Sequence, residues 1–120
     1  MPQQPVRSPS RLASLRHAIR GLQVLLSQPN ARIQCVAALV AVALGWQLSI
    51  SPAEWLSVVL SIALVISAEA LNTALEHAVD LVSPQWQPLA RDAKDVAAAA
   101  VFISSVGAAV VGWLVFSPHI

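Results

Sequence analysis

Four polar side chains recur at helical spacing inside an otherwise apolar stretch of the sequence. They are Glu69, Asn72, Glu76 and Asp80, which lie three, four and four residues apart, and we call them the polar stripe. At about 100° per residue, this spacing places all four within roughly 80° of one helical face. A carboxylate at membrane depth costs about 3 kcal/mol on insertion scales, so such groups usually face a cavity, a partner or an ion. The polar stripe therefore predicts a functional site.

A second polar cluster, residues 91–95 (Arg-Asp-Ala-Lys-Asp), precedes the next apolar stretch, and we expect it to meet the polar stripe. The two clusters together supply carboxylates for a divalent cation, a lysine for a phosphate group and a deeper carboxylate, Glu69, for the proton of a lipid hydroxyl. Mg²⁺ usually binds through one or two carboxylates plus phosphate oxygens, so Glu76 with one neighbour would suffice. These are the groups that phosphoryl transfer requires.

The elements that position these groups are predicted to lie in a membrane, because 57% of the residues are hydrophobic and only 11% are charged. Three apolar stretches occur, at residues 33–50, 55–75 and 96–116. Each approaches the ~20 residues that a helix needs to cross the bilayer. We therefore predict an all-α membrane protein with three transmembrane helices, with the polar stripe at the end of the second.

Residues 10–120 are predicted to form a single membrane domain, preceded by a disordered lead at residues 1–9 that contains three prolines. Within this domain, residues 10–27 carry leucines and an isoleucine at helical spacing, with arginines over much of the remaining surface. The pattern predicts an amphipathic helix on the membrane surface. It also fits a helix packed over the rest of the protein, and its basic character favours the membrane surface.

The basic residues are distributed asymmetrically. All seven lie before the first span or between the second and third. Since lysine and arginine concentrate on the cytoplasmic side of membrane proteins, the asymmetry predicts the orientation of a multi-pass membrane protein. Its N-terminus and the 81–95 loop would be cytoplasmic, and its C-terminus would be outside. Arginines beside the membrane favour anionic lipid headgroups, and no nucleic-acid partner is expected.

Proline-containing breaks are predicted at residues 28–30, 51–54 and 83–88, and in the second break Ser51 and Glu54 have the spacing of a capping box. Small residues in the third span, among them Gly107 and Gly112, let helices approach each other closely. Three spans can hardly enclose both the polar stripe and a substrate. We therefore expect a homo-oligomer.

The same residues resemble a known family. Residues 69–80 (EALNTALEHAVD), 88–90 (PLA) and 93–98 (AKDVAA) are similar to the small bacterial integral-membrane diacylglycerol kinases and undecaprenol kinases. The resemblance implies a homotrimer of three-span subunits in the bacterial inner membrane, each subunit with a surface helix. It also implies an ATP-dependent lipid kinase that uses Mg²⁺ and transfers the γ-phosphate of ATP to the hydroxyl of a membrane lipid alcohol, either diacylglycerol or undecaprenol.

The resemblance further implies roles for individual residues. Glu69 matches the general base, Asn72 an active-site hydrogen-bonding partner, and Glu76 a metal ligand. Glu69 and Ala98 match the lipid-substrate side. The residues that match the nucleotide side are Glu76, Asp80, Lys94 and Asp95, together with Arg16 and His17, which match less closely.

Three glutamines depart from the family pattern. Gln28 stands where the family commonly has a second metal-binding glutamate, and Gln34 and Gln87 stand where relatives often carry histidine. An amide is a poorer ligand for a hard cation than a carboxylate. Gln28 therefore leaves open a lipid-binding family member with weakened catalysis.

Non-enzymatic interpretations also remain open. The polar stripe could provide interhelical hydrogen bonds, or the chain could form a scaffold or a small channel. A conducting pore carries polar residues along its whole length, whereas the first span and the outer half of the second contain almost none, which favours the kinase. The acceptor is not identified, since both candidate lipids present a primary hydroxyl. Trp55 is interpreted as a membrane-interface anchor, and His119 has no assigned role.

Overall fold

The computed structural model describes residues 2–5, 7–8 and 10–120. The helices are α1 at Arg11–Leu26, α2 at Pro29–Gln47, α3 at Pro52–Val82 and α4 at Pro88–Phe116, followed by a 3₁₀ turn at Ser117–His119. No strand occurs among these residues, so the predicted all-α architecture is confirmed. In the predicted disordered lead, residues 2–5 and 7–8 form no regular secondary structure, and Met1, Val6 and Pro9 lie outside the described residues.

Three helices, α2, α3 and α4, are long and apolar enough to cross a membrane, as predicted. All three extend beyond the apolar stretches: α2 begins at Pro29 rather than at residue 33, α3 continues past residue 75 to Val82, and α4 begins at Pro88 rather than at residue 96. Glutamate, lysine and arginine propagate a helix nearly as well as leucine does. Hydropathy therefore marks the membrane-length part of each helix and not its ends.

The break between α1 and α2 is bridged by a single arginine. Pro29 begins α2 in its first turn, where its missing N–H costs nothing. Arg32 then donates from Nε to the carbonyl oxygen of Leu26 at 2.8 Å and from Nη2 to that of Ser27 at 3.3 Å. Carbonyl groups at a helix C-terminus lack intrahelical partners, so Arg32 satisfies two of them and links the helices.

The α2–α3 connection combines two helix caps. In the first, a Schellman motif, the N–H groups of Ser49 and Ile50 donate to carbonyl oxygens one turn earlier, at 3.3 and 3.2 Å. Ser49 occupies the left-handed position with φ 52°, where glycine is usual. The second is the capping box predicted from the sequence, in which Ser51 and Glu54 exchange hydrogen bonds of 3.0 and 3.2 Å. The Schellman motif stops α2 at Gln47, short of the predicted residue 50.

We call residues 45–58 and 111–120 the hairpin end. Ile50, Val58 and Val115 are buried there and pack together. A Cβ added to Gly45 would lie 2.8 Å from the ring of Trp55, so the glycine allows this ring to lie directly against α2. The structure thus gives Trp55 a packing role that the sequence did not indicate.

His119 also acquires a partner at the hairpin end. Its Nε2 lies 3.0 Å from Oε2 of Glu54, the acidic residue of the capping box. The contact joins the C-terminal turn to the start of α3, although the two residues are 65 positions apart in the sequence. Such a contact has no local sequence signature, which is why His119 received no role.

The helices pack unevenly, and most of their apolar surface is exposed. α3 and α4 form the most extensive pair, whereas α2 contacts α3 more than it contacts α4. Leu39, Leu64 and Phe102 are exposed to 70%, 60% and 70%. Soluble monomers rarely expose apolar patches on this scale, so the surface is suited to lipid or to other subunits.

Candidate active site

Burial decreases along the polar stripe. Glu69 and Asn72 are 3% and 8% exposed, Glu76 is half-buried and Asp80 is exposed. All four lie on α3, and the buried pair is on its membrane-length part. The stripe therefore runs from an apolar interior at Glu69 to an accessible surface at Asp80. We call residues 25–34 and 69–98, which surround it, the loop end.

Glu69 is contacted from α2. The Nε2 of Gln34 donates a hydrogen bond to Oε2 of Glu69 at 3.2 Å. From the sequence, Gln34 is only a departure from the family pattern, and its contact with Glu69 is not predicted. One signal was available, because Gln34 is the single strongly polar residue between residues 33 and 46. A lone amide in a membrane span usually faces a protein partner.

Asn72 and Glu76 form the next pair along the stripe. Asn72 Nδ2 donates to Oε1 of Glu76 at 3.1 Å, one helical turn away. Asn72 Oδ1 and Gln34 Oε1 are both buried without a hydrogen-bond partner among the described residues. Buried unpaired acceptors are costly and rare in folded proteins. Gln34 is hydrogen-bonded to Glu69 and Asn72 to Glu76, so the two unpaired oxygens fit a site that receives a hydrogen-bond donor or a cation from outside the chain.

Asp80 connects the polar stripe to the second polar cluster. Its carboxylate pairs with Nζ of Lys94, so the expectation that α3 and α4 bring the two clusters together is confirmed at this pair. A cavity of about 200 Å³ lies beside the pair, under the α3–α4 loop, and Asp95 contributes to its wall. Both partners are substantially exposed, so the ion pair itself contributes little to stability. It places a cation and two carboxylates around an open cavity.

The α3–α4 loop also positions an aromatic ring at this cavity. The guanidinium carbon of Arg91 lies 5.8 Å from the ring centroid of Trp86, within the range of a cation–π contact. Arg91 approaches Asp92 at 3.6 Å as well, in an exposed pair. Trp86 and Arg91 both line the cavity.

Other residues singled out from the sequence stay apart from the polar stripe. Arg16 and His17 are exposed on α1, and Ala98 is exposed on α4. The Nε2 of Gln28 contacts Oγ of Ser27 at 3.5 Å, in the break between α1 and α2. Among the described residues, no hydrogen bond or ion pair joins these side chains to the stripe.

The oxygen atoms of the polar stripe can be compared with the ligands that a divalent cation requires. The described residues contain no group of three or more His, Cys, Asp or Glu side chains that could hold a metal ion. Mg²⁺ does not require one, because it commonly binds one or two protein oxygens and completes its shell with water and substrate phosphates. The carboxylate of Glu76 and the unpaired Oδ1 of Asn72 supply such oxygens on adjacent turns. These residues therefore fit Mg²⁺ held jointly with a phosphorylated ligand.

A groove of about 300 Å³ lies between α2, α3 and α4. Gln34 is the lining residue of α2 nearest the loop end, and Ala41 is the lining residue of α2 nearest the hairpin end. Apart from Gln34, Ser61 and Ser105, its lining is apolar. The groove can accept an alkyl chain or a helix from a second subunit, and one of its ends lies beside the hydrogen-bond partner of Glu69.

The chain is similar to known proteins over most of its length. The family model described as prokaryotic diacylglycerol kinase matches residues 16–116. The undecaprenol kinase of Bacillus subtilis (strain 168) is 37% identical over 108 residues, which cover 89% of this chain and 88% of that protein. A diacylglycerol kinase of Synechocystis sp. is 34% identical over 92% of this chain and 65% of its own length.

A third relative, the diacylglycerol kinase of Escherichia coli (strain K12), is 33% identical over 70% of this chain and 68% of that protein. The matched segment of the family model begins within α1 and ends at the last residue of α4. It therefore includes the polar stripe and the second polar cluster. Since the match spans nearly all of the helical structure, the chain belongs to the prokaryotic diacylglycerol kinase family.

Proposed function

We propose that this chain is an integral-membrane lipid kinase that transfers the γ-phosphate of MgATP to the hydroxyl of a membrane lipid alcohol. One observation carries the proposal: a single helical face runs from a buried carboxylate, Glu69, to the accessible Asp80–Lys94 pair. The buried end can meet a group carried by a lipid, and the accessible end can meet a charged nucleotide. The names of the relatives, which are lipid kinases, support it.

The reaction assigns a step to each end of the stripe. The lipid hydroxyl oxygen forms a bond to the γ-phosphorus while the bond from that phosphorus to the bridging oxygen of ADP breaks. Glu69, the carboxylate at the buried end of the stripe, takes the hydroxyl proton. Lys94 exchanges its contact with Asp80 for phosphate oxygens and stabilises their charge. Burial of Glu69, which is 3% exposed, limits the access of water, which would otherwise compete as the acceptor.

Mg²⁺ would be held by Glu76 and Asn72 together with the phosphates. When bound, the ion neutralises phosphate charge. Asp80 and Asp95 are proposed on the nucleotide side, joined by Arg16 and His17 from α1, and Ala98 on the lipid side. Gln28 would contribute a weaker ligand than the family glutamate.

We propose a homotrimer in the inner membrane. α2 is long and apolar enough to cross a membrane, and in the described part of the chain a Cβ added at Gly107 or Gly112 would meet no atom of another helix within 4 Å, which leaves room for close approach of a helix from a second subunit. The distribution of arginine and lysine supports an orientation in which the N-terminus and the α3–α4 loop are cytoplasmic and the C-terminus is outside. α1 would lie on the membrane surface, since Leu12, Leu15 and Ile19 are exposed to 70%, 58% and 51%.

A direct assay tests the proposal. Purified protein in lipid vesicles is incubated with γ-labelled ATP and either diacylglycerol or undecaprenol, and label in the lipid fraction is measured. We expect one or both lipids to become phosphorylated, and their ratio identifies the acceptor. No label in either lipid, with protein that is folded and oligomeric, would overturn the lipid-kinase assignment.

The non-enzymatic alternative is not favoured by the structure. A channel needs polar groups along a continuous path. Here the two part-buried side-chain pairs, Gln34–Glu69 and Asn72–Glu76, both lie at the loop end, and the groove between the helices is lined mainly by apolar residues.

A further inference from the structure

The contact between α2 and Glu69 assigns a function to a residue outside the family motif. We propose that Gln34 is a positioning residue for the phosphoryl-transfer reaction: its amide N–H holds one oxygen of Glu69, so that the other oxygen faces the lipid hydroxyl. The inference rests on the proposed function, because it takes Glu69 as the general base.

The first supporting observation is the isolation of this contact. Gln34 Nε2 lies 3.2 Å from Glu69 Oε2, and Glu69 is 3% exposed. Among the described residues, it is the one side-chain hydrogen bond that joins α2 to α3. The described residues give Glu69 Oε1 no donor, so the two oxygens of this carboxylate are in different environments.

The difference between the two oxygens matters for proton transfer. Rotation about the terminal torsion of glutamate has a broad, roughly two-fold profile, so an unrestrained carboxylate samples many orientations. A hydrogen bond from a group on another helix restricts that rotation. It also supplies a donor to the carboxylate where little water is available, which strengthens the interaction. Gln34 therefore restricts the orientation of the Glu69 carboxylate before the lipid hydroxyl binds. Less conformational freedom is then lost when the reactive arrangement forms.

The second supporting observation is the free end of the same amide. Gln34 Oε1 is buried and has no partner among the described residues. A glutamine placed only to join two helices would have both ends satisfied, because an unpaired buried acceptor is costly. Gln34 also lines the apolar groove. Its position between the groove and the base is suited to a reaction in which the acceptor comes from the bilayer.

The experiment compares Gln34→Leu, which removes the donor at similar volume, with Gln34→His, which retains a ring N–H. The matched control is Gln47→Leu, the same substitution at the exposed end of α2. We expect Gln34→Leu to lower kcat by about 30-fold while KM for MgATP changes less than about two-fold. Gln34→His should recover most of the loss, and Gln47→Leu should behave as wild type.

Thermal unfolding and oligomer mass in detergent identify any variant that fails to fold. If Gln34→Leu is unstable, Gln34→His and Gln34→Asn are compared instead. Both side chains retain an N–H donor but differ in length, so the two variants should differ in kcat. Wild-type kcat in a folded Gln34→Leu protein would overturn the inference. A raised KM for MgATP with unchanged kcat would also overturn it, since it would indicate a nucleotide-side or purely structural role.

A double-mutant cycle separates this inference from the proposed function. In a Glu69→Asp background with residual activity, Gln34→Leu should cause little further loss, because both changes disturb the same step. Independent, multiplicative losses would contradict action through Glu69. If Glu69→Gln itself retains wild-type turnover, the proposed base fails. If Glu69→Gln is inactive and Gln34→Leu is fully active, only the role of Gln34 fails.

Discussion

The hairpin end and the loop end are built from the same helices but differ in how their side chains pack and pair. At the hairpin end, Ile50, Val58 and Val115 pack together, and Trp55 closes directly over Gly45. At the loop end, polar side chains pair across helices, and two buried acceptor atoms remain without partners among the described residues. One end has side-chain packing typical of a folding core, and the other retains unsatisfied polar groups.

The contrast shows where the chain departs from its most stable arrangement. Local sequence, packing and polar satisfaction agree at the hairpin end, as they do in most of a folded protein. At the loop end, burial and polarity conflict at Glu69 and Asn72, and such conflicts concentrate at functional sites. Substitutions at the loop end should therefore change catalysis with little effect on stability, and substitutions at the hairpin end should do the reverse.

The largest expected effect is the loss of activity in Glu69→Gln. The substitution removes a proton acceptor without changing shape, so turnover should fall by about 10²- to 10⁴-fold, while oligomer mass and Tm stay near wild type. Initial rates with saturating lipid and MgATP measure the loss. Glu54→Gln, which neutralises a carboxylate at the hairpin end, is the control and should retain activity. Equal losses of turnover in the two variants would show that the two ends do not differ in their contribution to catalysis.

The next effect is on metal dependence. Glu76→Ala should raise the Mg²⁺ concentration for half-maximal activity by about ten-fold, because the site loses one of its few protein oxygens. A titration of activity against Mg²⁺ at fixed ATP measures the shift. KM for the lipid should change little. A metal dependence equal to wild type would exclude Glu76 as a ligand.

At the hairpin end, Gly45→Ala should act on stability. The new Cβ would lie 2.8 Å from the ring of Trp55, so the ring must shift and unfolding should become easier by about 1 to 3 kcal/mol. Thermal unfolding in detergent measures the change, and kcat should stay within about two-fold of wild type. Gly21→Ala is the control, since among the described residues no atom beyond its chain neighbours and its own helix backbone lies within 4 Å of the added Cβ. A Tm of Gly45→Ala at or above wild type would contradict the packing described here.

The smallest effect is a gain in stability. Ser49 has φ 52°, in the region that glycine adopts readily, so Ser49→Gly should stabilise the protein by about 0.5 to 1 kcal/mol. The gain is limited because glycine also increases the entropy of the unfolded chain. The same unfolding assay measures it, with Ser57→Gly inside α3 as the control that should destabilise. A lower Tm for Ser49→Gly would show that the serine side chain stabilises the turn.

Much of the fold was predictable because its determinants are local. Pro29, Ser51 and Pro84 lie in the breaks where the helices end, and the capping box depends on residues three positions apart. The polar stripe was equally predictable from the sequence, since helical periodicity alone places its residues on one face. Predictions of helix ends were less accurate, because polar residues near Val82 and Pro88 continue a helix after the apolar stretch has ended.

The amino-acid sequence by itself determined three membrane-length helices, their breaks, the face that carries Glu69, Asn72, Glu76 and Asp80, and the resemblance to the family. These properties depend on neighbours within a few positions and on composition. Only the tertiary structure paired Gln34 with Glu69, which is 35 positions away, and placed Trp55 over Gly45. The reason is physical: an apolar helix such as α2 can present any face to its neighbours, and packing of the whole bundle selects which side chain meets which.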